Sequence, residues 1–131
     1  VFPSDPVVTI PASGYLLVVK HLDAFAARYG VMPAGVVVLG PYDGQLQNGG
    51  EKLELSMPGD VDEFGTRYYI RIDRLNYSDG SHPEDCPGSV DLWPPEADGG
   101  GISLSRRISS AYGNDVANWK AGSASPGRTN P

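Results

Sequence analysis

The chain has 131 residues and a mass of 13.9 kDa, enough for one domain and short of two. Its 17 glycines and 12 prolines take more than a fifth of the chain, close to double their usual share, and both residues break helix interiors, which excludes a helical bundle. No apolar run is long enough for a membrane span, no charged-then-apolar signal peptide opens the chain, and one cysteine (Cys86) excludes an internal disulfide or a multi-cysteine zinc site.

In chain order, Val7–Ile10 is a short β-branched run, and Ser13-Gly14 marks a turn after Pro11. Tyr15–Lys20 is almost wholly apolar and reads as a strand buried on both faces. Leu22, Phe25, Ala26 and Tyr29 then fall at i, i+3, i+4 and i+7, so Leu22–Tyr29 is a two-turn helix, with Gly30 placed for a left-handed C-terminal cap. Val36–Leu39 is the next buried strand. Asn48-Gly49-Gly50 turns the chain into Lys52–Ser56, where Leu53 and Leu55 alternate with charged residues. Pro58-Gly59 starts a connection to Gly65. Tyr68–Tyr77 alternates again, but Leu75 and Tyr77 are out of phase with Ile72, which places a bulge near Arg74. Ser78–Gly101 is rich in glycine and proline and reads as a long loop. Ile102 and Leu104 mark a last strand, and Asn114–Trp119 a helical turn with Asn114 as its N-cap. Residues 122–131 form a Gly/Ser/Pro-rich, extended or frayed tail, leaving residues 1–121 as the domain. About six strands, one short helix and frequent turns make an all-β sandwich.

The net charge is −6, and all of it sits in one place. Between Leu75 and Ser105 stand Asp79, Glu84, Asp85, Asp91, Glu96 and Asp98, with no lysine or arginine, and the rest of the chain is neutral. Nucleic-acid affinity comes from neutralising phosphates with Lys and Arg, so this charge argues against a nucleic-acid partner. Arg67, Arg71 and Arg74 lie among acids and read as a solvated strand face.

Several motifs, in order, resemble the lamin-tail domain, above all its bacterial form. They are Ile10-Pro11-Ala12-Ser13-Gly14-Tyr15-Leu16-Leu17-Val18-Val19, Phe25-Ala26-Ala27-Arg28-Tyr29-Gly30, Leu46-Gln47-Asn48-Gly49-Gly50 running into Leu55, and Asp73-Arg74-Leu75-Asn76-Tyr77. Trp93-Pro94, Ala97–Leu104, Asn114–Trp119 and Pro126-Gly127 complete the likeness. The resemblance implies an immunoglobulin-like β-sandwich with one short helix, used as an accessory module at the bacterial surface or in secreted proteins. Val1-Phe2-Pro3 matches the end of the family's opening strands, so the resemblance also implies a domain lacking those strands. That would leave inner-face residues such as Leu17, Val19, Val37 and Leu39 open and favour a homodimer through exposed strand edges.

Chemistry is sparse. No Gly-x-Ser-x-Gly elbow is present, and Gly99-Gly100-Gly101 lacks the Lys-Ser/Thr of a phosphate loop. His21 reads as a helix-start residue. Ser81-His82-Pro83-Glu84-Asp85-Cys86 gathers a thiol, an imidazole and two carboxylates, but a nucleophile and its base must converge in space. Asp79, Glu84, Asp85, Asp91 and Asp98 are hard-oxygen candidates for Ca²⁺, set against a solvated acidic loop that holds no ion. His82 and Cys86 offer two zinc ligands where a structural site wants four. Trp93 and Trp119 read as packing anchors. The expectation is a non-catalytic interaction module with no required cofactor, binding a protein or a cell-surface polysaccharide. The rivals are a carbohydrate-binding sandwich presenting Tyr42, Tyr69, Tyr77, Trp93 or Tyr112, and a hydrolase fragment built on His82 and Cys86.

Overall fold

A computed structural model describes Phe2 and residues 8–131; Val1, Pro3 and Val7, which enter the sequence expectations, lie outside the described residues. The described residues are rich in strands, with one α-helix and three two-stranded sheets that do not close into a barrel. Among the described residues, no helix is long and apolar enough to cross a membrane. The chain divides into two compact units.

The first unit takes the chain up to Gln45 together with Ser125–Thr129. Val8–Ile10, expected as a strand, belong to no regular element. Strand β1 (Tyr15–Val18) pairs in parallel with β2 (Val36–Leu39), from Tyr15 opposite Val36 to Val18 opposite Leu39. Helix α1 (Leu22–Tyr29) is the crossover, and a helical crossover returns the chain in the same direction. A β-α-β unit is not part of an immunoglobulin sandwich, whose sheets are antiparallel. The helix has the expected bounds, and the Gly30 N–H closes it onto the Ala26 carbonyl at 2.8 Å. Its apolar stripe is less covered than the periodicity predicts. Leu22 and Tyr29 are exposed, and Phe25 is half-buried with its ring 5.0 Å from that of Tyr29. Leu17, Val19, Val37 and Leu39 are all half-buried, and the exposed residue on β1 is Val18. The last residues are not frayed here: Gly127 is buried, the Arg128 N–H bonds the Ser125 carbonyl, and the Tyr15 and Thr129 hydroxyls meet at 3.3 Å.

The second unit holds Leu46–Ala124 with Asn130–Pro131. Its main element is a long antiparallel ribbon, β3 (Gly50–Val61) with β4 (Arg67–Ser78). Pro58-Gly59 does not end β3 as the sequence predicts. A register shift between Pro58 and Val61 takes up the proline, which has no N–H for the ladder. The expected bulge is present but two residues early: Leu55 faces Asp73 and Ser56 faces Arg71, leaving Ile72 unpaired. The Asp62 carboxylate ties the tip, accepting from the backbone N–H of Phe64 and Thr66 and from the Tyr68 hydroxyl.

Gly50 starts β3 at φ 126° beside the Tyr77 carbonyl, where a Cβ would collide with backbone. Gly50→Ala should therefore cost about 1–3 kcal/mol, as strained positions do, read as a lowered urea midpoint. An unchanged midpoint would mean that the ribbon does not start there.

Strand β5 (Ser103–Arg106) pairs antiparallel with β6 (Trp119–Gly122), so Ile102–Leu104 is not the last strand. Between them Asp115, not Asn114, caps the 3-10 turn Val116–Asn118 by accepting from Ala117 N–H. The Asn114 side chain instead accepts from the Asn76 N–H on the outer edge of β4. Trp93 is the one buried apolar side chain among the described residues. Leu53 and Leu75 on the ribbon line a cavity of about 370 Å³ with Leu104 and Trp119. A second cavity of about 320 Å³ runs past Leu55, Asp73 and Arg106. Both are open to solvent.

Candidate functional site

The acidic segment after β4 is folded by its own carboxylates. Asp79 sits two residues before Ser81 and accepts from its N–H at 2.9 Å and its hydroxyl at 2.7 Å, a short-range turn that Asp and Ser favour. Asp91 takes three bonds: the Ser78 hydroxyl, His82 N–H at 3.1 Å and Trp93 N–H at 3.0 Å. It thereby fastens the far end of the loop to the end of β4. Three 3-10 turns (Pro83–Asp85, Pro87–Ser89 and Pro95–Ala97) occupy the stretch expected to be a plain loop, each opened by a proline whose missing N–H is no loss there.

His82 is the centre of what chemistry there is. Its Nδ1 lies 3.3 Å from Glu84 Oε1 and its Nε2 3.7 Å from Asp79 Oδ1. The Glu84 hydrogen bond raises the imidazole above its ordinary value, against some burial, with Asp79, Glu84 and Asp85 adding to the rise. Hydrogen bonds from Ser81 hold Asp79 below the usual carboxylate range. For Asp91, burial pushes upward, but the bonds from Ser78, Trp93 and His82 together win and leave it low. Cys86 is pushed up, first by burial and then by Asp91 and Asp85. An activated thiol needs the opposite surroundings.

These directions fix the sign of the pH dependence. His82, raised in the folded state, stabilises fully below about pH 6.5, and that contribution fades as pH rises through its folded value. Asp79 and Asp91, lowered, stabilise above about pH 4 and lose this as pH falls through their folded values. The melting temperature should thus be highest in mildly acidic buffer. His82→Ala should abolish the loss on the alkaline side, and a variant that kept the same alkaline slope would contradict the assignment to His82.

Of the five calcium candidates, Glu84 and Asp85 come together with His82, their ligand atoms within 4.8 Å of one another. Asp79 and Asp91 are taken up by the loop's internal bonds. Asp98 lies apart from the His82 group, on the wall of the 370 Å³ cavity. Cys86 does not join the group, although it lines a cavity of about 650 Å³ with His82, Asp85, Lys52 and Tyr77. The sequence grouped His82 with Glu84 and Asp85 as neighbours but paired it with Cys86 as a metal ligand; the signal for the other pairing was in His82-Pro83-Glu84-Asp85, since a proline-opened 3-10 turn brings residues three apart to one side.

Aromatic exposure also separates the expected platform. Trp93 is buried beside Trp119 with centroids 6.1 Å apart. Tyr77 is half-buried, its hydroxyl on the Gln47 carbonyl, and Tyr42 is half-buried under Lys20, whose Nζ stands 5.2 Å from the ring centre. Tyr69 and Tyr112 are exposed, as is Tyr68. A platform including Trp93 is therefore not formed. The larger exposed surface is on the ribbon, where Met57, Tyr68, Tyr69, Ile70 and Ile72 are all open. No family model matches the chain, and neither a curated protein nor a solved structure matches it.

Proposed function

We propose that the chain is a non-catalytic, lamin-tail-like interaction module serving a larger bacterial surface or secreted protein, with the antiparallel strands of its second unit as the immunoglobulin-like part and the β-α-β unit as an addition to it. The observation that carries the reading is the ribbon: apolar side chains on both strands stand in solvent around Ile70, and exposed apolar patches of this kind mark interaction sites. The ordered motifs from Ile10 to Gly127 support the family likeness. The raised thiol of Cys86 and the ion-paired ring of His82 supply neither an activated nucleophile nor a free base. The protein should show no turnover of p-nitrophenyl esters, phosphodiesters or glycosides. Turnover lost on His82→Ala or Cys86→Ala would overturn the reading.

The module needs no ion. The loop's closing bonds are made by Asp79 and Asp91 within the chain, so melting temperatures with millimolar Ca²⁺ and with chelator should coincide at matched ionic strength. A calcium-dependent rise lost on Glu84→Gln would assign an ion to the group around His82. The carbohydrate reading keeps Tyr69 and Tyr112 as its exposed rings, and is favoured only if retention on insoluble chitin, cellulose or peptidoglycan is lost when both become alanine.

A further inference from the structure

Strand β3 pairs with β4 along one edge, and among the described residues no backbone hydrogen bond reaches its other edge past Gly50, whose N–H bonds the Gln47 carbonyl. A bare strand edge is a template for another strand. The residues along that edge decide which one. In Glu51-Lys52-Leu53-Glu54-Leu55 the charges are self-complementary about Leu53. Laid antiparallel on itself with Leu53 at the two-fold axis, the strand sets Lys52 of each copy against Glu54 of the other, and Leu53 against Leu53. Lys52 and Glu54 have side chains 61% and 33% exposed, and their contact within one copy is a loose 3.7 Å. Glu54 also accepts from the Ser56 hydroxyl at 3.1 Å and faces Arg71 at 3.8 Å, and surface contacts of this kind are weak enough to yield to a cross-strand lysine.

The outer edge of β4 does not offer this. Its Asn76 N–H is already bonded to Asn114, and its open stretch, residues 67–72, carries Arg67 and Arg71 with no acid. Self-pairing there would gather four positive charges, and like charges across a sheet destabilise it. Lys52 and Glu54 share one face of β3, while Leu53, Leu55 and Met57 share the other, where β4 adds Ile70 and Leu75.

We propose that the occupant of the β3 edge is a second copy of this chain, joined antiparallel with Leu53 on the two-fold axis to give the continuous four-stranded sheet β4-β3-β3-β4. This deepens the interaction-module reading and rests on it. The symmetric contact closes on itself, so it yields a dimer and not a fibre.

Sedimentation velocity across a concentration series tests the pairing. The wild type should pass from monomer to dimer. Lys52→Glu alone or Glu54→Lys alone should raise the dissociation constant about tenfold, since each turns two attractive cross-strand pairs into repulsive ones. The double reversal Lys52→Glu/Glu54→Lys should restore the wild-type value, which also shows that the single variants are folded. The register has its own readout: Leu53→Cys on a Cys86→Ser background should form an intermolecular disulfide, because Cα atoms directly opposite lie about 4.5–5.5 Å apart and within disulfide reach. Lys52→Cys alone should not, whereas mixed with Glu54→Cys it should. A monomer at every concentration, a dimer indifferent to the single reversals, or a Leu53→Cys chain that stays reduced under oxidant would each overturn the second copy. None of these touches the module reading, which hydrolase turnover alone would remove.

Discussion

Replacing Trp93 with alanine should lower stability by about 3–5 kcal/mol, the usual cost of truncating a buried aromatic to alanine. Trp93 is 8% exposed and has no buried apolar equal among the described residues. Its ring stands 6.1 Å from that of Trp119 at 47°, a tilted arrangement that adds to area burial. The Trp119 indole N–H is itself fixed on the Gly113 carbonyl at 2.8 Å. The Trp93 backbone N–H closes on Asp91, so the ring is the point at which the acidic loop is fastened to β6. The variant should therefore lose the near-ultraviolet circular dichroism of the tryptophan pair together with its urea midpoint. Trp93→Phe, which keeps a ring, should lose less. A Trp93→Ala protein within about 1 kcal/mol of wild type would show that this packing is not what holds the second unit together.

Asn118→Ala should also be costly, by about 1–3 kcal/mol, through a different route. Asn118 is 6% exposed, and its amide makes a reciprocal pair with one residue: Oδ1 accepts from Ile108 N–H at 2.9 Å and Nδ2 donates to the Ile108 carbonyl at 3.0 Å. The side chain thus imitates a strand partner across the β5–β6 connection. Removing it strands the Ile108 N–H, at about 1–3 kcal/mol for a group left unpaired away from water, while the Ile108 carbonyl keeps the Ala111 N–H at 3.2 Å. Asn118→Asp is the informative companion, since it keeps the acceptor and loses the donor. It should fall between wild type and alanine, measured by chemical denaturation at neutral pH. Equal stability of all three would place the closure of this loop elsewhere.

Particular residues show how far the sequence could be read. Helix α1 was legible because Gly30 marks its end and the apolar spacing its length. Its burial was not, because periodicity reports a face without reporting whether anything covers it. The direction of β1 and β2 was equally hidden: the same apolar runs serve parallel and antiparallel sheets, and only the helix between them decides. The phase break in β4 was visible, yet its position was not, because the unpaired Ile72 is as apolar as its neighbours. In β3, Pro58-Gly59 has the composition of a turn and is absorbed as a register shift inside a strand. The acidic loop was legible as charge alone. That Asp79 and Asp91 close it by accepting hydrogen bonds, while Glu84 and Asp85 gather at His82, depends on distances that composition does not carry. The exposure of Tyr68 and Ile70 was the least readable feature, since alternation predicts one covered face and the ribbon leaves both open.

The most direct test of the account is amide hydrogen exchange along β3, from Glu51 to Met57, compared between dilute and concentrated protein. In dilute solution the N–H groups that face away from β4 should exchange quickly, while those bonded into the ladder stay protected. On concentration the outward set should become protected as the second strand arrives. Outward amides that are protected even at the lowest concentration would contradict the account, because the edge would then be covered by the chain itself.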